Sequence, residues 1–143
     1  RLTQTISPFI NESDMRVFAQ FARHAARGED IELHTDGTSA RQYIHIEDAV
    51  TAILCVLHKG VAGEAYNAAR EDSYISVRDM AQFVQDNFNH SGKVVFHLRD
   101  DMGYAPTTKL KLDVSKLKNL SWDAKYNIYD MFNDLIKKLH ENI

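Results

Sequence analysis

The chain has 143 residues, of which 44% are hydrophobic and 26% charged, and its formal net charge is −3 at neutral pH. That length can bury a real core, while the mild acidity and the lack of a dense Lys/Arg run exclude a general nucleic-acid binder. One cysteine, Cys55, excludes an intrachain disulfide, and no apolar run is long enough to span a membrane, so a cytoplasmic protein is expected.

Arg1–Ile6 is predicted as a short strand ended by Ser7-Pro8. From Asp14 to Arg27 the positions Phe18, Phe21, Ala22 and Ala25 recur at helical spacing, and Gly28 supplies the stop. Arg16, Arg23, His24 and Arg27 are expected on the solvated face of that helix. Ile31, Leu33 and Thr35 alternate with Glu32, His34 and Asp36 as a half-buried strand, followed by an Asp36-Gly37 turn. A second strand carries Tyr43 and His45 on one face and Ile44 and Ile46 on the other. Glu47-Asp48 opens a helix to Lys59, the acidic pair sitting where the dipole favours negative charge. Its apolar stripe is Ala49, Ala52, Ile53, Val56 and Leu57, with Cys55 as a small buried hydrophobe and Gly60 at the end.

Gly63–Asn67 is expected to form a further strand with Tyr66 in the core. Ser76-Val77-Arg78-Asp79 has the form of a capping box, starting a helix with Val77, Met80, Ala81, Val84 and Phe88 on one side. Val94, Phe96 and Leu98 alternate as a strand, and Arg99–Thr108, which contains Gly103 and Pro106, has the composition of a loop. Asp113 suits the N-cap of a short helix and Trp122 an apolar anchor. Asn127, with Asp130 three residues on, starts a last helix striped by Ile128, Met131, Phe132, Leu135, Ile136 and Leu139. Strand and helix signals alternate throughout, so the expected fold is α/β, a small mixed domain of short strands and about five helices.

Chemistry is sparse. None of the histidines sits at H-x-x-x-H or Cys/His ligand spacing, and no G-x-S-x-G or Walker-type element occurs. No Gly-rich dinucleotide fingerprint follows a strand. Four residues after Tyr43, Tyr66, Tyr74, Tyr104, Tyr126 and Tyr129 stand Glu47, Arg70, Arg78, Thr108, Asp130 and Asn133, so no Tyr-x-x-x-Lys pair exists. Arg41 is the exception. A guanidinium held at the start of a short strand just after a tight turn suits a phosphate or carboxylate, to which its planar fork can donate two parallel hydrogen bonds.

The run Asp36-Gly37-Thr38, Arg41, Tyr43, Ile44, Ile46, Asp48 and Ala52 resembles the D-G-T-x-x-R-D-[FY]-[IV]-x-[IV]-x-D-x-x-x-A block of the nucleotide-sugar epimerases and dehydratases. These form the extended branch of the short-chain dehydrogenases. Gln42 replaces the family's acidic residue. Arg1, Gln4, Ser7 and Pro8 are similar to its R-x-x-N-x-x-G-P segment, with Gln for Asn and Ser for Gly. Gly63-Glu64-Ala65-Tyr66-Asn67 resembles G-x-x-Y-N, and Asp113 to Trp122 resembles D-x-S-K-x-x-x-L-G-W with Ser121 in place of Gly. Arg99 to Gly103 has the ingredients of an R-x-G-D-like element but not its spacing.

The resemblance implies the substrate-binding C-terminal portion of an NAD-dependent epimerase or 4,6-dehydratase, a single unit over residues 1–143 that is not catalytic by itself. Arg41 and Arg99 would grip the diphosphate of a nucleoside-diphosphate sugar. His34 falls where the family often places an aromatic ring over the nucleobase, and Gln4 offers an amide to a sugar or phosphate oxygen. NAD would be bound by an N-terminal Rossmann half outside this chain, which begins with Arg as an excised or processed piece would. Apolar surface left by that half would be covered by it or by self-association. The alternative is a stand-alone, non-catalytic α/β module that binds a partner protein or small ligand.

Overall fold

Short strands and helices alternate in the computed structural model, which describes residues 1–99, 103, 104 and 106–141. Two parallel pairs are each two strands wide: β1 (Gln4–Ile6) beside β4 (Tyr43–His45), and β2 (Ile31–Leu33) beside β6 (Val94–Phe96). A third sheet is centred on β3 (Ala40–Arg41), antiparallel to β5 (Ile75–Ser76) and parallel to β7 (Lys109–Leu110). The described residues hold five α-helices: α1 (Val17–Arg27), α2 (Ile46–Lys59), α3 (Val77–Phe88), α4 (Ser115–Lys118) and α5 (Ile128–Glu141). This is the mixed α/β architecture with five helices and short strands that the alternation of signals predicts.

The helix ends follow from local chemistry. Gly28 adopts φ +68°, letting its amide reach Ala25 O and the next amide reach His24 O. Ser76 Oγ accepts from Asp79 N at 3.0 Å. Asn127 and Asp130 cap each other, Asp130 N donating to Asn127 Oδ1 at 3.0 Å and Asn127 N to Asp130 Oδ2 at 2.9 Å. Caps of this kind are worth about 1 kcal/mol each.

The apolar faces of α1, α3 and α5 then meet in one core, where Phe18, Phe21, Met80, Val84, Met131 and Phe132 pack on Ile6, Ile31, Leu33 and Tyr43. A smaller core joins Ile44, Ala49, Ala52, Tyr66, Leu117 and Trp122. Trp122 is an anchor as expected, its Nε1 donating to Thr51 Oγ1 at 3.0 Å.

Three expectations are corrected. Gly63–Asn67 forms no strand: Gly63 sits at φ +83°, and pairing is confined to a single bridge between Leu2 and Ala68. Tyr66 is nonetheless buried, its hydroxyl accepting from Val61 N at 3.0 Å. Arg23 is 7% exposed rather than solvated, because the chain segment before α1 folds back over it and the guanidinium donates to Asn11 O and Asp14 O. On α2 only the small Ala49 and Ala52 and the half-buried Cys55 and Val56 meet the core. Ile53 and Leu57 are 53% and 82% exposed, beside exposed Val50 and Leu54. The helix is apolar nearly all round, so periodicity alone does not choose its buried face. Asp48 is more than a dipole partner. It is buried, and its carboxylate accepts from Lys125 N and Tyr126 N at about 3 Å, seating the chain that leads into α5.

Gln42 is fully buried between β3 and β4. Its Oε1 accepts from Leu112 N at 2.6 Å, its Nε2 donates to Glu71 O at 3.3 Å, and its own carbonyl accepts from Thr3 Oγ1 at 2.5 Å. Gln42→Glu keeps the acceptor and replaces the donor with a carboxylate oxygen facing the Glu71 carbonyl. Denaturant melts at pH 7 should show a loss of about 1–3 kcal/mol. Burial against that carbonyl raises the new carboxyl's folded pKa, so the loss should shrink as pH falls and grow as pH rises through that pKa. Ser121 lies at φ +64° where L side chains are strained. Ser121→Gly should therefore raise stability by roughly 0.5–1 kcal/mol in the same assay, after allowing for glycine's greater unfolded-state freedom.

Candidate functional site

The two residues of β3 are pinned on both sides, Ala40 between Ser76 and Lys109, and Arg41 between Ile75 and Leu110. Ser39 O accepts from Val77 N at 2.9 Å, and Ala40 N donates to Thr108 O at 2.9 Å. Arg41 thus ends the strand, rather than starting a longer one, with its backbone fixed from two neighbours. Its side chain is half-buried, and no hydrogen bond or ion pair joins its guanidinium to any described residue. Burial pushes the Tyr43 phenol up to about 12, and the nearby Arg41 charge acts in the opposite sense. A cation without a side-chain partner among the described residues therefore stands near the buried Tyr43.

His34 follows β2 directly. Its Nδ1 is buried without a hydrogen-bond partner, and its ring stacks on His97 with centroids 6.5 Å apart and planes at 30°. The β2–β6 pairing runs on past its formal end: His97 N donates to Leu33 O at 2.8 Å and Arg99 N to His34 O at 3.1 Å. That continuation brings the exposed Arg99 alongside His34. Residues 100–102 and 105 of the same loop lie outside the described residues, and with them the rest of the R-x-G-D-like stretch. Gln4 sits opposite Tyr43 in the β1–β4 register, half-buried, and its side-chain amide bonds to no described residue. The main chain thus joins His34 to Arg99, and sheet register places Gln4 two residues along from Arg41.

Between His34 and Arg41 the chain turns at Asp36-Gly37. Asp36 Oδ1 accepts from Thr38 N at 3.1 Å and Thr38 Oγ1 at 2.8 Å, which holds its carboxyl below the usual carboxylate range. Gly37 takes φ +70°. Arg78, the second residue of α3, donates from its backbone to Gly37 O at 3.0 Å and from Nε and Nη2 to Asp36 O at 3.0 and 2.7 Å. The same guanidinium lies over the Phe96 ring, 5.7 Å from its centroid. An open cavity of about 360 Å³ adjoins this turn, lined by Gly37, Thr38, Ala40, Tyr74, Arg78 and Lys109 among others; Arg41 does not line it. Sequence reasoning found Arg78 only as part of a capping box, because that pattern fixes a helix start and says nothing of where the side chain reaches. No group of three or more His, Cys, Asp or Glu placed to hold a metal occurs among the described residues. Nor is any described helix long and apolar enough to cross a membrane.

Comparison with known proteins adds an independent line. Residues 1–69 match the model of the NAD dependent epimerase/dehydratase family. A trifunctional UDP-glucose 4,6-dehydratase/UDP-4-keto-6-deoxy-D-glucose 3,5-epimerase/UDP-4-keto-L-rhamnose-reductase of Arabidopsis thaliana is 30% identical over 80% of the chain, which spans 17% of that protein. A UDP-N-acetyl-alpha-D-glucosaminuronate decarboxylase of Bacillus cytotoxicus is 31% identical over 75% of the chain, which spans 36% of it. Among solved structures, the UDP-glucose 4-epimerase of Thermotoga maritima, with UDP-glucose, superposes with a TM-score of 0.80 at 20% identity. It covers 99% of the chain, which spans 45% of it. The dTDP-glucose 4,6-dehydratase of Bacillus anthracis, in complex with NAD, gives 0.78 at 20% identity, again over 99% of the chain and 44% of that protein.

The chain thus spans well under two thirds of the relatives it matches. The Asp-Gly-Thr…Arg…Tyr-Ile-His block lies within the matched 69 residues, and the fold agrees along nearly the whole length. On this combined ground the chain belongs to the NAD-dependent epimerase/dehydratase family, the extended branch of the short-chain dehydrogenases.

Proposed function

We propose that this chain grips a nucleoside-diphosphate sugar within an NAD(P)-dependent epimerase or dehydratase, and that it is not catalytic by itself. Arg41 holds the diphosphate, Arg99 adds a second positive charge, the His34 ring faces the nucleobase, and Gln4 offers its amide to a sugar or phosphate oxygen. NAD, when bound by a nucleotide-binding half packed against this portion, supplies the hydride acceptor and donor for the sugar carbon. The chain itself contains neither a Gly-rich cofactor loop nor a Tyr-x-x-x-Lys pair.

The observation that carries this reading is Arg41: half-buried, backbone-pinned, and bonded to no described residue. A cation partly withdrawn from water without a carboxylate is costly unless an anion arrives, and charge-assisted bonds to a diphosphate are strong. The T. maritima epimerase, solved with UDP-glucose, has the same fold over this stretch. The test is titration of UDP- and dTDP-sugars into the chain joined to a nucleotide-binding half. Arg41→Ala should weaken diphosphate-sugar binding by about ten- to a hundredfold and leave uridine binding nearly unchanged. Unaltered sugar-nucleotide affinity and turnover in that variant would remove Arg41 from the site.

The outward face of α2 is the surface on which the other half docks. Val50, Ile53, Leu54 and Leu57 make it a contiguous apolar patch, with Val61 just past the helix end, and the adjoining parallel pair β1–β4 is two strands wide. Parallel sheets are ordinarily covered on both faces. Leu57→Asp should leave the chain's own melting transition within about 0.5 kcal/mol, since that side chain touches little within the chain, while abolishing association with the other half. Sedimentation measures both states. A chain that sediments as a monomer and ignores the added half would count against the docking, and a self-dimer lost in Leu57→Asp would favour the stand-alone module.

A further inference from the structure

We infer that Arg78 is a positioning residue for the sugar-nucleotide grip, fixing the interval between His34 and Arg41; this rests on the function proposed above. His34 is anchored by the β2–β6 pairing and Arg41 by the β5–β3–β7 sheet, and these are separate sheets. The link between them is the turn around Asp36 and Gly37, so its conformation sets how far the ring stands from the guanidinium.

One side chain braces that turn from outside. Asp36 O receives both Nε–H and Nη2–H of Arg78, a fork whose planarity leaves little freedom once two bonds are made. The backbone of α3 adds Arg78 N to Gly37 O and Val77 N to Ser39 O. The guanidinium carbon lies over the ring of Phe96, the last residue of β6, next to the segment that carries His97 and Arg99. Arg78 therefore touches the turn, its own helix and the β6 strand end. Those are the pieces that set where His34, Arg41 and Arg99 stand.

The neighbouring cavity strengthens this reading over a ligand role for Arg78. Three of its lining side chains already hold partners: the Ser76 hydroxyl bonds Asp79, the Thr38 hydroxyl bonds Asp36, and the Arg78 fork bonds the Asp36 carbonyl. The two Arg78 N–H groups that bond Asp36 O are thereby committed to the turn rather than to the cavity.

The experiment uses the full-length protein in which this chain occurs, as wild type, Arg41→Ala, Arg78→Met and Arg78→Lys. Affinities for UDP-glucose, dTDP-glucose and NAD are measured along with KM, kcat and amide exchange over residues 34–41. Arg78→Met should raise the Kd and KM for whichever sugar nucleotide binds by about tenfold and speed exchange at residues 36–38, with the NAD affinity held and kcat changed much less. Arg78→Lys, which keeps the charge but not the fork, should fall between and serves as the readout if Arg78→Met does not fold. Sugar-nucleotide affinity within about twofold of wild type, or a parallel fall in NAD affinity, would overturn the positioning role. If wild type binds neither sugar nucleotide, or Arg41→Ala is silent, the underlying function fails. If Arg41→Ala weakens binding and both Arg78 variants are silent, only the positioning role does.

Discussion

Gln42 is the point at which the parts of this molecule are tied. It lies between the strand that presents Arg41 and the strand that presents Tyr43, and it is fully buried. Its amide bonds the chain at Leu112 and at Glu71, while its own carbonyl receives Thr3. Residues 3, 42, 71 and 112 are remote in sequence, so one residue closes three long loops of chain, two through its side chain and one through its backbone. A buried amide that meets a donor on one side and an acceptor on the other rewards a single arrangement, since misplacement leaves a polar group desolvated and unpaired. Gln therefore suits this place where a carboxylate would not. Here one bond must be donated, to the Glu71 carbonyl, and a carboxylate has no hydrogen to give.

Around that tie the electrostatics are divided cleanly. Cations with structural duties are matched: Arg23 to the carbonyls of Asn11 and Asp14, Arg16 to Asp14 at 2.6 Å, Arg70 to Asp72 at 2.5 Å and to Ala124 O. Lys116 and Lys118 pair with Glu64 and Glu71. Arg41 differs from these in lacking such a partner among the described residues. On the function proposed above, that difference leaves Arg41 open to an anion from outside at little cost in reorganisation.

Much of this was legible in the chain. The capping box at Ser76, the Asn127/Asp130 pair and the stop at Gly28 each signal a helix end through short-range chemistry, and each is realised. The core stripes of α1, α3 and α5 are readable for the same reason, since apolar and polar residues alternate there with a clear period. What was hidden depends on what lies across the fold. Nothing local to Arg23 announces that the loop before α1 will bury it, and nothing in Gly63–Asn67 reveals that strand pairing there shrinks to the single bridge at Ala68. The face of α2 that turns inward is set by small side chains fitting a tight space, whereas the bulky ones are left outside. At the site, Arg41, Arg99, His34 and Gln4 stood out by family pattern. Arg78 did not, because its importance is a matter of reach.

Gly37 combines two demands that no other residue meets together. Its φ of +70° by itself would admit asparagine or aspartate, which visit left-handed conformations with modest penalty. A Cβ there would stand 2.8 Å from the Arg78 amide nitrogen, an atom locked into the first turn of α3, and 2.9 Å from Leu33. Of the twenty amino acids, nineteen would have to prise the helix away from the turn, so this position is closed to sequence drift while Thr38 beside it is not. Any lineage that retains α3 against this bend retains a hydrogen atom in place of a side chain.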